Sequence, residues 1–148
     1  KDCSTADCEL SGSDFKGEDH FKQVELDFLA EAKREGWNRK DAQWVFQHFG
    51  SQSFRILQNN VTTVDDIPDY LVKSLLYTLS YEMTMSPADF FVRRTNLFHF
   101  NPAIMEEHYG GLAEILYDFM EASSEYRSKE NTRFAAMLAS IQRIQNGL

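Results

Sequence analysis

Between Pro68 and Met83 the chain reads PDYLVKSLLYTLSYEM, and Leu71, Val72, Leu75, Leu76, Leu79 and Met83 recur at the spacing of one helix face. So wide an apolar stripe has to be buried against other elements, because a helix of this length gains most of its stability from packing that face. Tyr70, Tyr77 and Tyr81 flank the stripe. The segment therefore predicts a central core helix, and the rest of the chain has to supply its partners.

The flanking segments carry the same period. Phe21, Val24, Phe28, Leu29 and Ala32 share one face, and Gly36 supplies a stop. Asn38, with Asp41 three residues on, caps a second helix bearing Trp44, Val45, His48 and Phe49, which Gly50 ends. Ser51 starts a short helix with Phe54, Ile56 and Leu57 that closes near Asn59 and Asn60. Residues 59–67 form a connector, and Pro68 sits in the first turn of the core helix. Ser86-Pro87-Ala88-Asp89 is a further start, with a serine cap, a proline in the first turn and an aspartate that reaches back. Asn101-Pro102 repeats that signal, giving a helix over 102–108 that Gly110-Gly111 interrupts. Leu112, Ile115, Leu116 and Phe119 form the next face. The last helix runs from about Asn131 to Gln145 with Phe134, Met137, Leu138, Ile141 and Ile144 apolar. Strand-like alternation appears nowhere, and twelve phenylalanines predict an aromatic core. The expected fold is all-α, a compact orthogonal bundle of six or seven helices over residues 21–148. The Ser-, Asp- and Gly-rich residues 1–20 are its linker or loop.

Several classes of function are disfavoured. A formal net charge of -8 repels phosphate backbones. Residues 38–58 have the helix, glycine, short helix order of a helix-turn-helix, but SQSFRILQNN holds one arginine and no lysine, so DNA binding is a weak alternative. No apolar run approaches the ~20 residues of a transmembrane helix, and the polar residues 1–20 carry no secretory signal. The start at Lys1 rather than Met suggests a processed protein or a piece of a longer one. The spacing of Cys3 and Cys8 could close a disulfide or supply half a zinc site, but no second Cys/His pair lies nearby and the two read as free thiols. There is no Gly-x-Gly-x-x-Gly, no Walker loop and no Gly-x-Ser-x-Gly elbow. His20, His48, His99 and His108 stand far apart, and His48 reads as a core-edge histidine with one nitrogen satisfied. Glu106, Glu107 and His108 are adjacent, so on a helix they point in different directions and make no metal site. The residues thus offer no catalytic group, cofactor ligand or metal ligand. A stand-alone protein-interaction module, with Trp37 and Phe98 as exposed anchors, stays open.

The most unusual cluster is YEMTMSPADFFVRRTNLFHFN, residues 81–101. Glu82 closes an apolar helix, and Arg93 and Arg94 stand beside two phenylalanines. A charge buried there alone is costly, so Glu82 and one arginine are expected to pair across the helix corner and fix the angle between two helices. The sharper alternative is that one arginine reaches out to a phosphate or another domain.

This stretch resembles the C-terminal domain of FAD-dependent glycerol-3-phosphate dehydrogenases and oxidases. The resemblance rests on Glu82-Met83, Asp89-Phe90-Phe91, Val92-Arg93-Arg94-Thr95 and Phe100-Asn101. Upstream it includes His48-Phe49-Gly50-Ser51 with Ile56-Leu57, and Pro68-Asp69-Tyr70-Leu71 before the long helix. It extends over roughly residues 20–145; Phe49 replaces the family's tyrosine, and Phe91 its leucine. It implies a parent enzyme that oxidises glycerol 3-phosphate to dihydroxyacetone phosphate on FAD, passing electrons to oxygen or to a quinone. It implies FAD and substrate domains N-terminal to this region, which leaves this segment a helical accessory domain with no catalytic residue and no cofactor of its own. Glu82, Asp89, Arg93, Arg94 and Thr95 are then family-motif residues at an interhelix or interdomain contact. A cytoplasmic location follows, with any membrane association through the parent enzyme, and a homo-oligomer stays open. Leu10-Ser11-Gly12-Ser13 looks more like the oxidase branch.

Overall fold

A computed structural model describes residues 12–61, 64 and 66–146, with side chains as far as residue 140. Cys3, Cys8, Leu10 and Ser11 lie outside the described residues, as do the side chains of Ile141 and Ile144. Seven α-helices are described: α1 (Glu18–Arg34), α2 (Arg39–Phe49), α3 (Ser53–Leu57), α4 (Asp69–Tyr81), α5 (Leu97–Phe100), α6 (Pro102–Phe119) and α7 (Ser124–Asn146). A 3-10 turn, Gly50–Gln52, joins α2 to α3, and a π-helical turn, Asp89–Arg94, precedes α5. No described residue lies in a strand, so the architecture is all-α. The chain divides into two compact units, Lys1–Val64 with Pro68–Tyr77 and Asp65–Ile67 with Thr78–Leu148.

In the first unit α1 ends in a Schellman motif. The Trp37 amide donates to the Ala32 carbonyl at 2.9 Å and the Gly36 amide to Lys33 at 3.2 Å, with Gly36 at φ 86°. This turn folds Trp37 back, so the indole expected to be an exposed anchor is buried. Asn38 caps α2 as its sequence implies, its side chain accepting from the Asp41 amide at 3.0 Å. Phe46 sits at the centre, with ring centroids of Phe21 at 5.4 Å, Phe28 at 5.8 Å and Phe15 at 6.2 Å. Phe15 precedes α1, whose start at Glu18 is one turn earlier than the apolar pattern indicates. Ser51 donates its amide to the Gly12 carbonyl at 3.2 Å and its hydroxyl to Asp14. The Gly12 carbonyl comes so close to Gly50 that a side chain at Gly50 would collide with backbone. Pro68 stands just before α4, its carbonyl accepting from Leu71 and Val72, rather than within the first turn. Of the stripe, Leu71, Val72 and Leu75 are buried and Leu76 and Leu79 half-buried, with Tyr70 and Tyr77 of the flank also buried.

In the second unit the core is formed by Phe90, Phe91, Leu97, Phe98, Met105, Leu112, Leu116, Tyr117 and Phe134. Phe134 stacks on Tyr109 at 4.1 Å and meets Phe91 and Phe98 at 5.7 and 6.1 Å. Phe98, the other expected anchor, is therefore buried. Asn101 caps α6 with Pro102 in its first turn, and the helix runs straight through Gly110-Gly111. Two glycines cost about 1 kcal/mol each in a helix interior, less than the buried stripe of Met105, Leu112, Ala113 and Leu116 returns. Gly111 also lies where a side chain would meet the tip of Ile67. α7 starts at Ser124, two turns before Asn131, with Ser123 accepting from the Tyr126 amide at 3.2 Å. Its polar first turns are held by Arg127, which reaches Glu114 at 2.7 Å and Asp118 at 2.8 Å on α6. α4 ends at Tyr81, so Met83 leaves the apolar stripe on which its spacing places it.

Candidate functional site

The sequence motif 81–95 folds into one tight corner of the second unit. Thr78, in the last turn of α4, has a carbonyl that accepts from both the Glu82 amide at 3.0 Å and the Thr84 amide at 3.2 Å. This double acceptance turns the chain sharply and leaves Met83 in the left-handed region at φ 55°. Ser86 and Asp89 then form a capping box. The Asp89 amide donates to Ser86 Oγ at 3.2 Å, and Asp89 Oδ2 accepts from the Ser86 hydroxyl at 3.0 Å and the Met85 amide at 3.1 Å.

The helix so started widens into the π turn. Phe90 and Phe91 are both buried, with ring centroids 5.2 Å apart. Thr95, also buried, closes the turn by donating its amide at 3.0 Å and its hydroxyl at 2.7 Å to the Phe90 carbonyl. An amide bonded five residues back defines the π register. The sequence marks a helix here but not this widening.

The two arginines part company. Arg94 turns to the end of α4, donating to the Glu82 carbonyl at 2.5 Å and lying 3.5 Å from its carboxylate. Arg93 turns back along its own helix to Asp89 and stays 70% exposed. The five motif residues thus fall into three arrangements: Glu82 with Arg94, Asp89 with Arg93, and Thr95 on Phe90. Tyr126 of α7 completes the corner by donating to the Met85 carbonyl at 2.7 Å. Sequence reasoning misses Tyr126 because SSEYRSKE carries no apolar period.

The two carboxylates differ electrostatically. Burial pushes the Glu82 carboxyl above its ordinary value, with Arg94 only partly offsetting it. Burial pushes Asp89 the same way, but the Met85 amide, the Ser86 hydroxyl and Arg93 together outweigh it and hold Asp89 below the usual range. Most polar groups of the corner hold backbone, whereas the buried Thr84 hydroxyl finds no hydrogen-bond partner among the described residues. Beside the exposed Arg93 it turns three apolar side chains outward: Met83 is 82% exposed, Tyr81 62% and Met85 55%.

Elsewhere the His48 ring bonds the Trp44 carbonyl at 2.8 Å and packs on the Trp44 ring, as a core-edge histidine does. Among the described residues no group of His, Cys, Asp and Glu is arranged to hold a metal ion. No described helix is long and apolar enough to cross a membrane. The DNA reading loses its recognition element: α3 has five residues and buries Ser53, Ile56 and Leu57.

Two concavities bear on whether a dinucleotide could be held. One, of about 450 Å³, is lined by Leu26, Leu29, Ala30, Lys33, Trp37 and the start of α2. Lys33 and Arg39 bring positive charge to its wall, but the start of α2 is already capped by Asn38, so that helix end is not free for a pyrophosphate. The other, of about 120 Å³ between the π turn and α7, is smaller than ligand pockets commonly are. The helix starts beside both are already capped, by Asn38 and by Ser86.

Comparison with known proteins places these features in context. The family model described as the C-terminal domain of alpha-glycerophosphate oxidase matches residues 3–127. The chain is 26% identical to an aerobic glycerol-3-phosphate dehydrogenase of Staphylococcus epidermidis over 124 residues, 82% of this chain and 22% of that protein. It is 29% identical to the Bacillus subtilis protein of the same description over 104 residues, 67% of this chain and 19% of that one. The chain thus spans about a fifth of the length of these relatives.

Proposed function

We infer, because this chain belongs to the family of C-terminal domains of alpha-glycerophosphate oxidase, that it is the C-terminal helical domain of an FAD-dependent glycerol-3-phosphate oxidase or dehydrogenase. The parent enzyme oxidises glycerol 3-phosphate to dihydroxyacetone phosphate. Its FAD and substrate domains precede this segment in the same polypeptide. The accessory domain takes in Phe15 and the whole of α1 as well as residues 21–148, since Phe15 packs on Phe46 and α1 starts at Glu18. The observation that carries this reading is a match to a domain described as C-terminal by a chain that covers only about a fifth of its relatives.

The role of the domain is structural. FAD supplies hydride acceptance when bound to the parent, and flavin chemistry needs a protein site that binds and orients it. The helix starts beside the two concavities of this chain are already capped, and the flavin and the reaction are assigned to the preceding domains. Glu82, Asp89, Arg93, Arg94 and Thr95 shape the corner that holds the domain's helices and meets the neighbouring domains. The enzyme is cytoplasmic and reaches a membrane, where it does so, through its other domains. Nucleic acid is not a partner: the net charge of -8 and the buried face of α3 both oppose it.

Absorbance and turnover test the reading. The full-length protein is expected to purify yellow and to oxidise glycerol 3-phosphate, while residues 1–148 alone are colourless and inactive. Oxygen uptake with peroxide formation identifies an oxidase, and quinone reduction a dehydrogenase. A flavin-loaded preparation of residues 1–148 would overturn the assignment.

A further inference from the structure

We propose that the loop Tyr81–Met85 is the seat by which this domain docks on the preceding part of its own polypeptide, a proposal that rests on the accessory-domain reading above. Tyr81, Met83 and Met85 place three large apolar side chains in solvent within five residues. Single exposed apolar residues are ordinary, but a cluster of this kind marks a contact surface.

The loop is not a loose segment that failed to pack. Thr78 takes its Glu82 and Thr84 amides, Asp89 its Met85 amide, Tyr126 its Met85 carbonyl and Arg94 its Glu82 carbonyl. Met83 is held left-handed, a conformation that costs a non-glycine residue about 1–2 kcal/mol. Such strain persists only where its surroundings over-determine it. A loop fixed at five points loses little conformational entropy on contact, so its apolar surface is pre-organised for a partner. Methionine is suited to the task because its flexible, polarisable side chain fits an irregular facing surface.

Its size argues for an occupant in the same chain. Three side chains offer far less than the ~800 Å² per partner of a stable interface between separate proteins. An intramolecular partner needs much less area, because the connection raises its effective concentration. The relatives' length places most of the polypeptide outside this segment, and the family description puts that polypeptide on the N-terminal side. The facing surface is apolar, with a carboxylate at its rim for Arg93, which bonds Asp89 beside the loop and is otherwise exposed.

The test uses the full-length protein with Met83→Cys, and with Leu26→Cys and Phe119→Cys as references, each labelled by a maleimide and read by peptide mass spectrometry. Left uncovered, Met83 at 82% exposure would label at least as fast as Leu26 at 59% or Phe119 at 52%. Docking reverses that order, with Met83→Cys labelled roughly tenfold more slowly than both references in native protein and equally in urea. A photoreactive benzoylphenylalanine at Met83 should then crosslink to the chain's own N-terminal portion. Labelling of Met83→Cys at or above the reference rates, or a crosslink to a second copy, overturns the proposal while leaving the accessory-domain reading intact. A native product with an intact mass of 17.2 kDa overturns both.

Discussion

Replacing Asp89 with alanine is expected to destabilise the second unit by about 2–3 kcal/mol at pH 7. The capping box accounts for about 1 kcal/mol. The charge-assisted bond from the Met85 amide at 3.1 Å adds about 1.5 kcal/mol, because the side chain is only 16% exposed. The pair with the exposed Arg93 adds about 0.3–0.5 kcal/mol. Asp89→Asn keeps an acceptor for the amide and should lose about half as much. The two variants also carry a pH signature. Asp89 is held below its ordinary value, because the bonds from Met85, Ser86 and Arg93 outweigh burial. Its contribution is therefore full above the unfolded carboxyl pKa of about 4 and is lost as pH falls through the folded value. Urea unfolding followed by far-ultraviolet circular dichroism is the assay. Tryptophan emission is the wrong probe, since Trp37 and Trp44 both belong to the first unit. A loss below about 0.5 kcal/mol for Asp89→Ala, or a gap from wild type that does not narrow on acidification, would refute the reasoning.

Two further outcomes follow from the packing. Phe134→Ala removes the ring that joins Tyr109, Phe91 and Phe98, and should cost about 3–5 kcal/mol by the same unfolding assay. Glu121→Gly should stabilise by about 0.5–1 kcal/mol, read as a higher denaturant midpoint. Glu121 sits at φ 51° in the position where Ala122 donates to the Tyr117 carbonyl at 2.8 Å, a Schellman turn that favours glycine.

What could be read from the sequence was local. Asn38, Ser86 and Asn101 announce their helices because a cap is decided within four residues, and all three are found capping. The buried face of α4 was legible for the same reason, down to the point where the helix stops. Met83 continues the period in sequence, yet Thr78 diverts the backbone first, and no spacing rule sees a carbonyl with two donors. Gly110-Gly111 misleads because propensity is weaker than the packing of the stripe around it. Trp37 and Phe98 mislead because aromatic residues at helix edges can face either way, and a Schellman turn or a neighbouring ring decides. The start of α7 is held by Arg127 on α6, a contact between distant residues that a polar stretch does not advertise. At the corner, the pairing of Glu82 with one of two adjacent arginines was readable from charge, whereas the choice of Arg94 required the π turn that aims it.

That turn sets a constraint on how this segment can change. Each residue advances an α-helix by about 100°, so deleting one position between Asp89 and Arg94 would relax the wide turn to ordinary winding and swing everything before it by more than a quarter revolution. The buried rings and the guanidinium on Glu82 could not both keep their places. Single-residue gaps should therefore be poorly tolerated here, although the stretch looks like any short interhelical connection in an alignment.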